Sequence, residues 1–134
     1  MDQFRNEGVI LDDNLRVDDE EIPGFIVIRG EIRMRGSLVM HVEKVLALSV
    51  KNGVSHVETV SYAYNVSLAG KGNIFRYDNS KVKEGHLTAH HKHVFDPPDN
   101  QVDLPEVGSD WPTLAEAIRE ADNYYLANLA QHDG

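Results

Sequence analysis

Residues 25–34 read FIVIRGEIRM. In an extended chain Ile26, Ile28, Ile32 and Met34 fall on one side, and Arg29, Glu31, Arg33 and Arg35 on the other. This period-two pattern is that of a half-buried β-strand. Working outward, Gly36-Ser37 turns the chain, and Leu38–Leu48 resumes the pattern with Leu38, Met40 and Val42 inward. The apolar phase slips near Lys44-Val45, which predicts a bulge. Lys51-Asn52-Gly53 is a hairpin signal, because Asn-Gly tolerates the positive φ angles of a type I′ turn. Val57–Leu68 follows as a third strand, with Val60, Tyr62, Tyr64, Val66 and Leu68 on one face. Asn73–Asn79 and His90–Phe95 give a fourth and a fifth, separated by a polar loop over Lys81–Ala89. Asp96-Pro97-Pro98-Asp99 ends the series, since proline has no ladder donor.

The flanks read differently. Residues 1–24 are expected to form an irregular acidic arm with at most one short edge strand, and residues 96–110 a linker. Leu114, Ile118, Ala121, Tyr125 and Leu129 then recur at helical spacing, predicting an amphipathic helix over 112–130, or 111–131 with its flanks. Pro112 suits its first turn, and Thr113 to Glu116 has the spacing of a capping box. The expectation is an α+β fold within a single domain, 1–134. An antiparallel β-meander of about five strands over 25–95 carries the C-terminal α-helix on one face.

Composition narrows the functional classes. The 134 residues are 41% hydrophobic and 26% charged, as in an ordinary globular chain large enough for one core. There is no cysteine, which removes disulfides, thiolate metal sites and cysteine nucleophiles. The longest apolar runs, Phe25–Ile28 and Val45–Leu48, are far too short for a membrane span, and no signal peptide is visible, so a cytoplasmic location is expected. The net charge of −9 is unevenly placed: residues 25–95 hold ten basic and five acidic side chains, while 1–24 hold two and eight. A basic middle between acidic ends suits an anionic substrate, with the ends masking it or receiving a basic partner.

The chemistry concentrates in two short stretches. Of seven histidines, His86, His90, His91 and His93 fall within eight residues, just after Arg76-Tyr77-Asp78-Asn79. On strands, Arg76 and Asp78 share one face, and so do His91 and His93, with His90 and Lys92 on the other. Three histidines and a lysine in four residues are costly in a packed strand unless they are solvated or used. Gly70-Lys71 does not complete a phosphate loop, and no nucleophile-elbow, metalloprotease or dinucleotide fingerprint is present.

The run RYDN at 76–79 followed by HHKH at 90–93, within VEKVLAL…VSYAYNVSL…NIFRYDNS…HLTAHHKHVFDP, resembles the TumE-like toxin family over about residues 25–95. Members tend to carry Ala-Pro-His after RYDN and Phe-Pro before the histidine cluster. Here Ser80-Lys81-Val82 and Thr88-Ala89 stand in those places, a departure that weakens His86 but not His91 or His93 as a site residue. The resemblance implies a translation- or nucleic-acid-directed toxin controlled by a cognate helix-turn-helix antitoxin.

Three functions compete. In a metal-independent ribonuclease, His91 and His93 would form the acid–base pair with Arg76 and Asp78. Lys92, Tyr77, Asn79 and His90 would bind substrate, and no cofactor is needed. In a metal-dependent phosphodiesterase, His91, His93 and Asp78, or His86 as the third ligand, would hold a divalent ion. In a binding module the histidine patch would dock RNA or a protein. RNA is the expected partner, a membrane is not, and a homodimer is compatible with all three.

Overall fold

The computed structural model describes residues 2–79, 90–103 and 112–129. Among these, a short helix α1 (Asp2–Asn6) leads into strands β1 (Ile10–Asp13), β2 (Arg16–Asp18), β3 (Phe25–Met34), β4 (Leu38–Lys51), β5 (Val54–Leu68), β6 (Gly72–Asp78), β7 (His91–Phe95) and β8 (Gln101–Asp103). Helix α2 (Leu114–Tyr124) follows and continues as a wider π turn over Tyr125–Leu129. All strand pairs are antiparallel, in the order β1-β3-β4-β5-β6-β7-β8, with β2 also on β3. From β3 onward this is the sequence-adjacent meander that the strand spacing predicts.

The sheet has eight strands rather than about five. Two of the additions lie in the segment read as an irregular arm. Its charges mask three inward residues, Phe4, Val9 and Ile10, which are buried in the core. Gly30, at φ 149°, is where Asn14 passes closest to β3. There the Asn14 side-chain oxygen accepts from the Glu31 N–H at 2.6 Å, which seats β2 against Arg29 and Val27. The segment is therefore part of the sheet, not a detachable mask. The third addition, β8, falls inside the expected linker; 104–111 and the loop over 80–89 lie outside the described residues.

The bulge sits across the ladder from where the apolar slip suggested. Val45 opposes Ser61 and Leu46 opposes Thr59, so Val60 of β5 is the extra residue and turns outward while Tyr62, Tyr64 and Val66 stay in. Asn79 secures it: its Oδ1 accepts from the Tyr62 N–H at 2.8 Å and its Nδ2 donates to the Val60 carbonyl at 2.9 Å.

One face of the sheet is covered. Ile32, Met34, Leu38, Met40, Val42, Tyr62, Tyr64, Val66, Phe75 and Tyr77 form it, with Ala117, Ile118 and Ala121 of α2 among them. The helix begins with a complete capping box: Thr113 Oγ1 accepts from the Glu116 N–H at 3.1 Å, and Glu116 Oε1 accepts from the Thr113 N–H at 3.0 Å. Thr113 is thus the N-cap, and Pro112 precedes the first turn. At the far end Arg35 Nε and Nη2 reach the two oxygens of buried Asp122 at 2.8 and 2.9 Å, and the guanidinium lies 5.0 Å above the Tyr125 ring. That ring occupies the space a Cβ at Gly36 would take, and Gly36 has φ 77°, so only glycine suits the turn.

Ile118 is fully buried at the centre of this contact. Ile118→Asp should cost about 3 kcal/mol or more by burying an unpaired carboxylate. A thermal scan should show the melting temperature falling by roughly 10 °C. Melting within about 2 °C of wild type would mean α2 is not held as described.

Candidate functional site on the open sheet face

Strand alternation divides the two chemistry-bearing stretches. In the β6–β7 ladder Arg76 opposes His93, Tyr77 opposes Lys92, and Asp78 opposes His91. Arg76, Asp78, His91 and His93 therefore share the face left open by α2. Tyr77 and Lys92 share the covered face.

On the open face the carboxylate of Asp78 is the hub. The residue is only 7% exposed, and its Oδ2 lies 2.8 Å from Arg76 Nε and 3.2 Å from His93 Nε2. Arg76 keeps much of its side chain in solvent, and only its Nε is engaged by protein among the described residues. The His93 contact is an ion-pair approach that turns Nε2 toward the carboxylate and leaves Nδ1 on the far side of the ring. Directly opposite residues in an antiparallel pair have Cβ atoms ~5 Å apart, which puts His91 across the ladder from Asp78 on the same face. A cavity of about 270 Å³ lined by Glu43, Ser61, Tyr62, Ala63, Arg76, Asp78 and Asn79 opens next to these groups. Among the described residues no three His, Asp or Glu side chains converge as a metal-binding group. His86 lies outside the described residues.

Of the expected substrate-binding residues Asn79 borders this cavity, whereas Lys92 and Tyr77 lie on the covered face. Lys92 Nζ lies 2.8 Å from Glu120 Oε2, and the Tyr77 hydroxyl donates to Glu120 Oε1 at 2.6 Å. Burial works against the Lys92 charge, but its hydrogen bonds to Glu120 and Tyr77 outweigh that and raise its pKa. Burial, reinforced by Glu120, also raises the Tyr77 pKa, so both groups keep their protons near neutrality. Lys92 further sits 5.1 Å from the Tyr77 ring centre. These groups join sheet to helix. Asn79 is spent on the bulge, as described above. His90 Nδ1 lies 3.0 Å from the Tyr62 hydroxyl and its ring stacks on Tyr62. Burial lowers the His90 pKa, with a smaller push from His91, and raises that of Tyr62 well above the ordinary tyrosine range.

Three residues of the open face escaped the sequence reading. Glu43 lines the cavity beside Asp78, and Arg16 and Arg29 line a neighbouring one of about 390 Å³ that Arg76 also borders. Glu43 and Arg29 were legible as outward strand positions. Arg16 was not, because its place depends on the non-local pairing of β2 with β3.

The fold and site define a small α+β protein whose one open sheet face carries a histidine–aspartate–arginine cluster. The family model described as Toxin TumE matches residues 2–124, and the chain belongs to that family. The match extends well past the stretch on which the sequence resemblance rests, and it supports a toxin role. No curated protein and no solved structure matches the chain. No helix among the described residues is long and apolar enough to cross a membrane.

The depressed His90 pKa has a consequence for stability. Between the folded value and the unfolded value near ~6.5 the unfolded chain binds more protons, so stability falls as pH drops through that interval. Protonation also leaves Nδ1 only a donor toward the Tyr62 hydroxyl. Melting temperatures of wild type and His90→Gln, taken from pH 7.5 to pH 5, should show a shallower acid loss in the variant. Parallel curves would show that His90 does not carry this linkage.

Proposed function

We propose that this chain is the toxin of a toxin–antitoxin pair and that it cleaves RNA without a metal, using the open-face cluster. The observation that supports this reading is the sharing of one buried carboxylate, Asp78, by Arg76 and His93, with His91 across the ladder. His93, oriented by Asp78, takes the proton from a ribose 2′-hydroxyl. The 2′-oxygen attacks the adjacent phosphorus, the bond to the 5′-oxygen breaks, and His91 as imidazolium gives its proton to that leaving oxygen. The products are a 2′,3′-cyclic phosphate and a 5′-hydroxyl. Arg76 offers its two amino groups to the phosphate oxygens as charge builds in the transition state, a role suited to a planar fork. Asp78 stabilises the imidazolium formed on His93. The cognate antitoxin, a helix-turn-helix protein in this reading, would restrain this activity.

Acid–base groups typically contribute ~10²–10⁴ in rate, so His91→Ala and His93→Ala should each lose cleavage and growth inhibition by that order with the fold kept. Arg76→Ala should be equally damaging, whereas Arg76→Lys should recover part of the activity, since lysine keeps the charge but not the fork. His56→Ala, on the exposed end of the β4–β5 hairpin, should match wild type. Cleavage should persist in excess chelator; loss with EDTA would transfer the same residues to a metal mechanism. A folded His91→Ala/His93→Ala variant that stays fully toxic would refute catalysis and leave a binding patch.

A further inference from the structure

The strand register carries the open-face site across the whole sheet. Read from β2 to β7, Arg16 opposes Arg29, Arg29 opposes Glu43, Glu43 opposes Ala63, Ala63 opposes Asp78, and Asp78 opposes His91. One step along each strand pair runs a second row: Glu31, His41, Asn65, Arg76 and His93. The 390 Å³ cavity follows these rows, and Arg76 borders both it and the smaller cavity beside Asp78. The two hollows adjoin, sharing Glu43, Ala63 and Arg76 as walls, and are taken together as one groove. Its far end holds Arg16 and Arg29, both exposed. Arg16 makes no ion pair among the described residues, and Arg29 only a loose one, 3.5 Å to exposed Glu21. With strands ~4.8 Å apart, four steps separate Arg16 from Asp78, roughly 19 Å. That is more than one phosphate can span.

We propose that Arg16 and Arg29 form a remote phosphate-binding subsite of this groove, so that the substrate is a single RNA strand lying across the sheet from β2 to β7. The identity of the ligand rests on the ribonuclease reading above; the subsite rests on the register and the cavity walls. The walls also indicate how the strand is held. Among the described residues no aromatic side chain lines the 390 Å³ cavity, and Tyr62, which borders the smaller one, is buried like Tyr64, Phe75 and Tyr77, so these residues offer no exposed stacking platform along this track. Recognition there falls to the sugar–phosphate backbone and is tolerant of sequence. Each row carries a carboxylate that repels phosphate, Glu43 in the first and Glu31 in the second, so the path from Arg29 to Arg76 runs between them, past Ala63 and Asn65. His41 faces the Glu31 carboxylate at 3.4 Å, and the arginines supply the attraction.

The test measures binding and cleavage separately. Binding uses a fluorescent 2′-O-methyl decaribonucleotide, which lacks the 2′-hydroxyl nucleophile; cleavage compares an ordinary decamer with a diribonucleotide. Arg16→Ala/Arg29→Ala should weaken decamer binding about 10-fold or more and reduce the slope of log affinity against log salt by about 1.4, two phosphate contacts at ~0.7 each. Decamer kcat/KM should fall with binding, while diribonucleotide cleavage stays within twofold. Arg33→Ala, on the same face but paired with Asp12 outside the groove, should change neither. Arg16→Ala alone, on an exposed edge strand, gives about half the slope change and decides the matter if the double variant does not fold. Decamer affinity and slope unchanged in the arginine variants would overturn the remote subsite, and the ribonuclease reading would stand if Arg76→Ala still abolished cleavage. Wild-type protein that binds no decamer overturns both. Equal affinity for a duplex of the same length overturns the single strand.

Discussion

Side-chain alternation along paired strands is the constraint on which this molecule's chemistry depends. Seven residues of β6 and five of β7 contain most of the titratable groups of interest, and period two sends them to opposite faces. The odd positions Phe75 and Tyr77, paired with Val94 and Lys92, meet α2. The even positions Arg76 and Asp78, paired with His93 and His91, do not. A slip of one residue in this pairing would exchange the faces and leave Asp78 beneath the helix. Asn79 opposes such a slip at the β5 end, because its side chain replaces two backbone hydrogen bonds at the Val60 bulge. Register, not proximity in sequence, brings the site together.

The covered face is held by polar contacts as specific as those on the open face, and these engage the cations packed against α2. Arg35–Asp122 is bidentate, Lys92–Glu120–Tyr77 closes a three-membered network, and Arg119 reaches Glu7 at 2.9 Å and lies 4.8 Å from the Phe4 ring centre. The last contact ties α1 to α2, so the acidic N-terminal segment supports the core that α2 covers. Its charges belong to a structural edge: Asp12 pairs with Arg33, and Arg5 with Asp13. Charge runs in sequence report local field and say little about whether the backbone beneath them is ordered.

The middle of the fold was legible from residues 25 to 79 because apolar alternation and an Asn-Gly turn are local signals. So was the partition of Arg76, Asp78, His91 and His93 to one face, which needs only strand parity. What escaped the reading is non-local. Phe4 stands alone and Val9-Ile10 belong to the short apolar group Val9–Leu11 among acids, and nothing nearby in sequence shows that the core will bury them. The functional grouping of Lys92 and Tyr77 with the histidines followed sequence adjacency, and the partner that claims both, Glu120, lies on a helix far along the chain. Arg16 joined the open face only through the β2–β3 pairing. The bulge was read on the correct strand pair but the wrong strand, because an apolar phase slip on β4 and an extra residue on β5 leave the same trace in a one-dimensional pattern.

Energetics separates Asp78 from the structural ion pairs. Removing a carboxylate from water is costly, and an interior ion pair often contributes no more than apolar residues of the same volume. For Asp122 the compensation is a two-pronged guanidinium that also docks a helix. For Asp78 the same carboxylate oxygen is divided between Arg76 and His93, neither of which joins another secondary-structure layer. An apolar row at this point would bind β6 to β7 at least as well, since the ladder hydrogen bonds are made by the backbone. The arrangement instead holds a buried anion beside an imidazole and a half-exposed guanidinium on the face away from α2. That gains little for stability; in the ribonuclease reading proposed above, it would fix a proton acceptor and a phosphate-binding fork at one point of the groove.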